Sequence, residues 1–114
     1  MVIGVGCDIV QISRVDALLK RHAKLNFLTV NEQLKLDGFH NEQRKAEWAA
    51  GRFAAKEAIY KAIHKAYTCK LADIEVLSDE QGAPYCCIAP FDIQISIAHE
   101  KEYAIAYAIA SKES

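Results

Sequence analysis

The pattern of hydrophobic and polar positions opens with an almost unbroken apolar run over residues 1–10, in which β-branched side chains recur. Such a run is typical of a buried β-strand. Asp8 interrupts the run, and burying a carboxylate costs free energy unless the group finds a partner. The pattern therefore predicts a first strand whose single acidic side chain is held by another polar group.

A first helix is predicted directly after this strand. Ser13 followed three residues later by Asp16 resembles a capping box, which satisfies free amide groups at the start of a helix. The helix is expected to run to about Lys24. Its inward-facing apolar residues are predicted to be Val15, Leu18 and Leu19.

A second capping signature lies at Thr29, which is followed by Glu32. It predicts a short helix that ends near Gly38, because glycine is a frequent residue at helix ends. Asn41 or a neighbouring residue is expected to begin the next helix, since asparagine is a preferred residue at the position before a helix.

The longest predicted element covers residues 42–67, a segment rich in Ala, Lys and Glu with Gly51 as its only Gly or Pro. At about 100° per residue, its large apolar groups fall on two nearly opposite sides. One side carries Trp48, Ala55, Ile59, Ala62, Ile63 and Ala66, and the other carries Ala50, Phe53, Glu57, Tyr60, Lys61 and His64. We therefore expect a helix packed on its sheet on one side and lining a cleft or a subunit contact on the other.

After this helix the hydrophobic period changes to two. Residues 72–78 and 84–89 flank the turn sequence 79–82 and are predicted to form a β-hairpin. Residues 92–97 and 102–110 are predicted to form a second antiparallel pair. In the last strand, four alanines alternate with the bulky residues Tyr103, Ile105, Tyr107 and Ile109. The order of elements favours an α+β fold: a small antiparallel sheet packed against one long helix and shorter helices.

Length and composition support one globular domain over residues 1–114, since 52% of the residues are hydrophobic and Pro and Gly are few. The 14 basic and 15 acidic residues give a net charge of −1, which argues against general nucleic-acid binding. This balance hides two halves of opposite sign. Residues 1–66 hold 11 basic and 7 acidic side chains, a charge of +4, and residues 67–114 hold 3 and 8, a charge of −5.

The four cysteines, at positions 7, 69, 86 and 87, have no C-x-x-C spacing and no histidine placed to complete a zinc site. Reduced thiols are therefore expected. The N-terminal residues lack the basic flank and long apolar run of a secretory signal, so none is expected, and no apolar run approaches the roughly 20 residues needed to cross a bilayer. These features predict a cytoplasmic protein that does not bind membranes.

Few ionisable residues stand in apolar settings where they could carry chemistry. They are Asp8 on the first strand, Glu57 and Lys61 one turn apart on the long helix, and His99 in the second hairpin. Two carboxylates suit a hard cation such as Mg²⁺, which also binds substrate phosphate oxygens. The alternative from residue types alone is an ordinary Glu57–Lys61 ion pair, with Asp8 making turn hydrogen bonds at a strand end.

The order and spacing of five segments carry more information. They read GVGCDIVQISR at residues 4–14, RFAAKEAIYKA at 52–62, DIEV at 73–76 with GAP at 82–84, and ISIAHE at 95–100. Together they resemble the holo-acyl-carrier-protein synthases, which are small, single-domain 4′-phosphopantetheinyl transferases. The resemblance extends over essentially the whole chain. It implies the fold of that family and transfer of phosphopantetheine from coenzyme A to a serine of an apo-acyl carrier protein, in support of fatty acid biosynthesis.

The resemblance also implies roles for individual residues. Asp8 and Glu57 hold Mg²⁺ against the coenzyme A diphosphate, and Glu57, directly or through a metal-bound water, accepts the serine proton. Lys61 meets the leaving phosphate. Residues implied to contact the nucleotide are Arg52, Gly82, Pro84 and His99. The alternatives are that Arg52 extends along the helix toward solvent and that His99 is an ordinary hairpin residue.

The chain departs from the family pattern at two places. Ala98 stands where the family commonly has a second serine, which removes a hydroxyl group before His99. The family also often has a glycine soon after the long helix, whereas this chain continues through residues 63–67 as Ile-His-Lys-Ala-Tyr. The helix exit is therefore expected to differ.

A basic surface is predicted around the first helix and the start of the long one. Acyl carrier proteins are acidic around their serine, so a basic rim would raise their association rate. The residues assigned to carrier docking are Arg14, Arg21, Lys24 and Arg44. The alternative is a solvated helix face without a partner. Arg14 is singled out because it lies close in sequence to Asp8.

The resemblance further implies a homotrimer with active sites between subunits, which agrees with the two-sided long helix and the alanine-lined strand. Two other functions stay open at this point. One is a module that binds coenzyme A or carrier protein without turnover, and the other is a Mg²⁺-dependent hydrolase of a diphosphate, since the carboxylates alone would serve either.

Overall fold

The computed structural model describes residues 1–113, and it confirms the predicted α+β class. The elements, in chain order, are β1 (Val2–Gln11), α1 (Ile12–Arg21), α2 (Val30–Asp37), α3 (Glu42–Ile63), a 3₁₀ turn (Leu71–Asp73), β2 (Leu77–Ser78), β3 (Pro84–Tyr85), β4 (Asp92–His99) and β5 (Tyr103–Ser111). Over residues 1–113, none of the helices combines the length and apolar character needed to cross a membrane.

The main sheet has three antiparallel strands in the order β1-β5-β4, and β2 and β3 form a separate two-stranded ribbon. The sheet face toward α3 is built from small residues. β1 contributes Gly4, Gly6 and Asp8 to this face, opposite three alanines of β5. The alanines of β5 are buried, namely Ala104, Ala106, Ala108 and Ala110. The alanine-lined strand thus packs against the long helix.

Gly4 and Gly6 allow β1 and α3 to touch through their backbones. A Cβ atom on Gly6 would lie 1.8 Å from the Ala58 carbonyl oxygen, and one on Gly4 would lie 1.9 Å from the Ala62 carbonyl oxygen. Real Cβ atoms do not approach that closely, so only glycine fits at either position. The side chains that follow on the same face of β1 are therefore held close to α3.

Two apolar clusters meet along α3. One lies between the sheet and the C-terminal half of the helix, and the other lies among α1, α2 and the N-terminal half. Val10 and Leu71 pack against both clusters. The helix side that carries Ala55, Ile59 and Ala62 is buried, whereas Tyr60, Lys61 and His64 on the other side are exposed.

The predicted start and end of the first helix are wrong. α1 begins at Ile12, directly after β1, and Gln11 precedes it without a side-chain cap. The Ile12 amide instead donates to the Glu102 carbonyl at 2.8 Å, so Ser13 lies inside the helix and is not needed as a cap. The helix ends at Arg21 rather than Lys24. Leu18, expected to face inward, is 39% exposed.

The capping predictions for the next two helices are confirmed. Thr29 and Glu32 form a complete capping box at α2. The Asn41 side chain accepts a hydrogen bond from the Arg44 amide at the start of α3. α3 ends at Ile63, four residues earlier than predicted, because the chain turns there and the Ile63 carbonyl accepts from the amides at 66 and 67.

The first predicted hairpin is much shorter than expected. Residues 71–73 form a 3₁₀ turn, and only two residues pair on each side of the ribbon. A physical reason lies at Val76, whose amide donates to the Glu32 carboxylate at 2.7 Å instead of to a neighbouring strand. The second predicted pair, β4 and β5, is present with continuous register.

Candidate active site

Asp8 has the polar partner that its apolar setting requires. It lies on the face of β1 toward α3, and the Lys61 ammonium lies 3.3 Å from its Oδ1 atom. Lys61 also donates to the Cys7 carbonyl at 3.0 Å. Lys61 therefore connects the helix to the strand, and within residues 1–113 its ion pair is with Asp8 and not with Glu57.

Asp8 and Glu57 line one cavity of about 330 Å³, which we call the carboxylate cavity. Arg14 lies at the same cavity, and most of the remaining wall is apolar, including Leu18, Phe27 and Phe53. Phe27 and Phe53 pack edge to face, with ring centroids 4.9 Å apart. The close approach of β1 and α3 thus brings two carboxylates, one from each element, to one concave surface.

The carboxylate cavity fits a hard divalent cation by the chemistry of its donors. Asp8 and Glu57 offer oxygen ligands only, as Mg²⁺ prefers, and Mg²⁺ usually combines one or two carboxylates with water and substrate phosphates. Within the described residues 1–113, no group of three or more His, Cys, Asp or Glu side chains is placed to hold a metal ion. Asp8 and Glu57 would therefore be two ligands of an ion whose other ligands are water and substrate oxygens.

A second cavity, of about 440 Å³, brings together Arg52, Gly82, Pro84 and His99. We call it the guanidinium cavity. It is lined by elements far apart in sequence, namely α3, the β2–β3 turn and the end of β4. All four residues assigned to nucleotide contact other than Lys61 therefore lie around one concave surface.

Arg52 is held firmly at the wall of the guanidinium cavity. Its Nε atom donates to the Val76 carbonyl at 3.0 Å, and one terminal nitrogen donates to the Ser78 hydroxyl at 2.7 Å. Its guanidinium carbon lies 4.7 Å from the centre of the Trp48 ring. Burial lowers the pKa of Arg52, and the negative charge of Glu32 opposes that effect. Arg52 is 7% exposed, so the alternative of an extended, solvated side chain is wrong.

The turn beside Arg52 owes its shape to Asp79 and Gly82. Gly82 has a φ of +86°, a left-handed conformation that favours glycine. The Asp79 carboxylate accepts from the amides of Gln81 and Ala83, both at 2.9 Å. The turn is thus locally fixed, and it presents Gly82 and Pro84 to the guanidinium cavity.

His99 is the last residue of β4 and is exposed, with its Nδ1 atom 3.4 Å from the Glu100 carbonyl oxygen. Its position next to the hairpin turn fits both interpretations of this residue. Ala98 lies on the opposite sheet face, paired with Ile105, and is exposed there. The serine-to-alanine departure therefore affects the outer sheet face rather than the guanidinium cavity of the same chain.

The other departure lies at the exit of α3. The His64 ring stacks on Tyr60 with centroids 5.6 Å apart, and its Nδ1 atom lies 3.1 Å from the Lys61 carbonyl oxygen. Beyond the helix, Tyr67 packs edge to face on Phe91. These contacts give the chain a fixed exit at a position where the family often has glycine.

The residues assigned to carrier docking divide into two places. Arg14 and Arg21 lie seven residues apart on α1 and therefore on one helix face, with the exposed Leu18 between them. Lys24 is exposed just beyond the helix. Arg44 lies at the guanidinium cavity, over the Phe39 ring, and not with Arg14.

Arg52 and Glu57 are five residues apart on α3, which corresponds to roughly 140° around the helix axis. The two cavities consequently lie on different sides of the same helix. The structure thus brings Asp8 and Glu57 together at one cavity and the residues assigned to the nucleotide together at the other. On one chain, these two sets of residues lie apart.

Sequence reasoning missed one buried ion pair near these cavities. Glu32, assigned only a capping role, pairs with Lys56, and both side chains are fully buried. The signal was the helical spacing of Lys56 with Ile59 and Ile63, which places its charge on a core-facing stripe.

Solved structures of other proteins superpose on almost the whole of this chain. A holo-(acyl-carrier-protein) synthase from Bacillus anthracis, in complex with CoA (3′,5′-ADP), superposes with a TM-score of 0.88 at 34% identity, covering 99% of each chain. The holo-[acyl-carrier-protein] synthase of Neisseria meningitidis gives a TM-score of 0.82 at 26% identity, covering 98% of this chain and 100% of that one.

The sequence comparisons agree. A holo-[acyl-carrier-protein] synthase of Staphylococcus saprophyticus is 42% identical over 113 residues, covering 96% of this chain and 97% of the relative. The sequence model of the 4′-phosphopantetheinyl transferase superfamily matches residues 4–108. This chain belongs to that superfamily, and the resemblance inferred from its motifs is confirmed.

Proposed function

We propose that this chain transfers the 4′-phosphopantetheine group of coenzyme A to a serine of an apo-acyl carrier protein. The observation that carries this function is the carboxylate cavity, where Asp8 and Glu57 face one space and Lys61 is bound to Asp8. The serine oxygen forms a bond to the phosphorus that bears pantetheine. The bond from that phosphorus to the departing oxygen breaks, releasing adenosine 3′,5′-bisphosphate and the serine proton.

Asp8 and Glu57 would hold Mg²⁺, because their oxygen donors suit that ion. When bound, Mg²⁺ supplies charge neutralisation on the phosphate oxygens, a contribution of several kcal/mol in metal enzymes. Glu57 accepts the serine proton, directly or through water. Lys61, held by Asp8 and the Cys7 carbonyl, presents its remaining N–H donor to the departing phosphate.

Arg52 and His99 bind the nucleotide phosphates, and the Gly82–Pro84 turn meets the adenine. This assignment is supported by their position around one cavity and by the rigid anchoring of Arg52. A guanidinium already fixed by two hydrogen bonds loses little conformational entropy when it binds a phosphate.

We also propose a homotrimer whose active sites lie between subunits. Each site would combine the carboxylate cavity of one subunit with the guanidinium cavity of its neighbour, which is how two half-sites on different sides of α3 can act on one coenzyme A. The outer sheet face supports this assembly because it is apolar and exposed. Its exposed residues include Val5, Ile9, Tyr103, Tyr107 and Ile109.

Replacing Tyr107 by glutamate is expected to reduce the trimer to monomers, because Tyr107 is 55% exposed near the middle of the apolar face. A charge there would have to be desolvated in the interface. Light scattering after size-exclusion chromatography measures the mass. Tyr85→Glu is the matched control, since Tyr85 is also exposed but lies in the separate ribbon. A Tyr107→Glu protein that keeps the mass of the unmodified chain would contradict the assembly.

The carrier protein docks on Arg14, Leu18 and Arg21, next to the carboxylate cavity. Arg14→Ala is expected to raise the KM for carrier protein by about tenfold and to leave the KM for coenzyme A within about twofold, since a rim charge mainly steers association. Lys20→Ala is the control, because Lys20 lies on the same helix but is paired with Asp16 at 3.1 Å. Equal changes in both KM values would contradict a separate docking role for Arg14.

Lys24 and Arg44 complete the predicted docking set, with Arg44 reaching a carrier from the neighbouring cavity. Residues 1–114 are proposed to act as one transferase domain in the cytoplasm, in support of fatty acid biosynthesis. The four free cysteines, Cys7, Cys69, Cys86 and Cys87, support a reducing compartment. Burial raises the pKa of Cys86 to about 12, so this thiol stays protonated.

The deciding experiment incubates the protein with apo-acyl carrier protein, coenzyme A and Mg²⁺ and determines the mass of the carrier. A gain of one phosphopantetheine group is expected. Free adenosine bisphosphate with an unmodified carrier would favour a diphosphate hydrolase. No change in either substrate would favour a binding module.

A further inference from the structure

The buried Glu32–Lys56 pair takes part in more hydrogen bonds than an ordinary helix cap does. The Glu32 carboxylate accepts from the Thr29 amide at 2.8 Å, from the Val76 amide at 2.7 Å, and from the Lys56 ammonium. Lys56 also donates to the Phe27 and Leu71 carbonyls, at 2.5 and 3.2 Å. One ion pair thus connects α2, α3 and two otherwise irregular segments.

Val76 links this pair to the guanidinium cavity. Its amide group donates to Glu32, and its carbonyl group accepts from Arg52 Nε at 3.0 Å. Ser78, two residues further on, accepts from the Arg52 guanidinium at 2.7 Å. The position of Arg52 consequently depends on the position of a short segment that Glu32 anchors.

The same pair also reaches the carboxylate cavity. Lys56 directly precedes Glu57 on α3, and the carbonyl group that it binds belongs to Phe27, a residue in the wall of that cavity. Burial lowers the pKa of Lys56, and its hydrogen bond with Glu32 opposes this effect. Neither side chain lines either cavity, and among residues 1–113 only the guanidinium cavity has a site residue, Arg52, that is hydrogen-bonded to a segment the pair anchors.

A purely structural role does not explain why a charged pair is used here. Buried ion pairs can often be replaced by apolar residues of similar volume without loss of stability, because desolvation offsets their attraction. An apolar pair could not accept a hydrogen bond from the Val76 amide. It therefore could not hold the Val76 carbonyl toward Arg52. The polar atoms of Glu32 are directed at a backbone segment whose other side carries the nucleotide-binding arginine.

We propose that Glu32 and Lys56 are positioning residues for coenzyme A binding, with Glu32 acting through Val76 on Arg52. This inference rests on the proposed function, since Arg52 is assigned there to the nucleotide phosphates. It adds two residues that touch no substrate and that set the affinity for one substrate only. The carrier-docking face on α1 shares no hydrogen bond with the pair among residues 1–113.

The test is Glu32→Gln, which keeps the shape but replaces one acceptor oxygen by an N–H donor. The KM for coenzyme A is expected to rise about tenfold, since a displaced Val76 releases Arg52 from its hydrogen bond. The kcat value and the KM for carrier protein should stay within about twofold. Glu75→Gln is the matched control, because Glu75 accepts from Thr29 Oγ1 at 2.5 Å but does not contact Arg52.

A second pair of measurements tests the route through Arg52. In an Arg52→Ala background, Glu32→Gln should cause no further rise in the KM for coenzyme A, as for residues acting in one network. An equal rise in both backgrounds, or no rise in either, would overturn the proposal. If Glu32→Gln does not fold, Glu32→Gln with Lys56→Met replaces it, because that variant removes the unpaired ammonium. If neither folds, the pair is a folding element and the proposal is wrong.

The same assay separates this inference from the function on which it rests. If the unmodified chain adds no phosphopantetheine to a carrier protein, the proposed function fails. If the unmodified chain is active and folded Glu32→Gln has an unchanged KM for coenzyme A, only the positioning role fails.

Discussion

Replacing Glu57 by glutamine is expected to lower kcat for phosphopantetheine transfer by about a hundredfold or more. The amide keeps the shape of the carboxylate, but it carries no negative charge and cannot accept a proton from serine. A general base typically contributes a factor of about 10² to 10⁴ to the rate. Asp8 cannot substitute for it, because Asp8 is already paired with Lys61 at 3.3 Å. The carrier-mass assay under saturating coenzyme A and carrier protein measures the loss.

The same variant is expected to need a higher Mg²⁺ concentration for half-maximal rate, since one of two anionic ligands is gone. Glu42→Gln is the matched control, because it makes the same chemical change in the first turn of α3, away from the carboxylate cavity. If Glu57→Gln retained the full transfer rate, the roles given to Glu57 in metal binding and proton transfer would both be wrong.

Local sequence signals predicted the start of a helix correctly only where contacts between neighbouring residues determine that start. Thr29 and Glu32 form the expected capping box, because both partners lie within one helical turn. Ser13 and Asp16 looked similar in sequence, yet they do not cap α1. There the chain enters the helix directly from β1, and the first amide donates to Glu102, a residue distant in sequence. A tertiary contact replaced the local cap, and no short-range pattern could reveal that.

At the candidate site, too, the sequence predicted which residues are present better than it predicted where they lie. The motif around Glu57 and Lys61 predicted which residue types would meet Asp8, and the structure brings all three to one strand–helix contact. The motif also contains Arg52, which lies on another side of the helix, at another cavity. Helical periodicity alone predicts that separation. In the proposed trimer the two cavities would meet across a subunit contact, which one sequence does not describe.

The positioning role proposed for Glu32 could not be predicted from the sequence, for a related reason. As a capping residue it is fully explained by Thr29, three positions away. Its second oxygen, however, accepts the Val76 amide, 44 residues further along the chain. That contact exists only after α2, α3 and the segment before β2 have packed together, so a residue with a satisfactory local explanation can still have a distant one.

Replacing Gly6 by alanine is expected to lower the free energy of unfolding by about 3 kcal/mol, near the upper end of typical overpacking costs. It should also abolish most of the transfer activity. The added Cβ would lie 1.8 Å from the Ala58 carbonyl oxygen, and neither backbone can give way as a flexible side chain would. β1 and α3 must therefore separate, and Asp8, two residues further on the same face, moves away from Lys61 and Glu57.

Thermal unfolding and the carrier-mass assay measure the two effects of Gly6→Ala, and a fall in Tm of roughly 10 °C or more is expected for a domain of this size. Gly38→Ala is the control, because a Cβ there would lie 3.4 Å from the nearest atom, the Lys35 carbonyl oxygen, an ordinary contact distance. A Gly6→Ala protein that unfolds at the original temperature with full activity would contradict this account. Backbone contact between β1 and α3 would then not be what holds Asp8 beside the helix that carries Glu57 and Lys61.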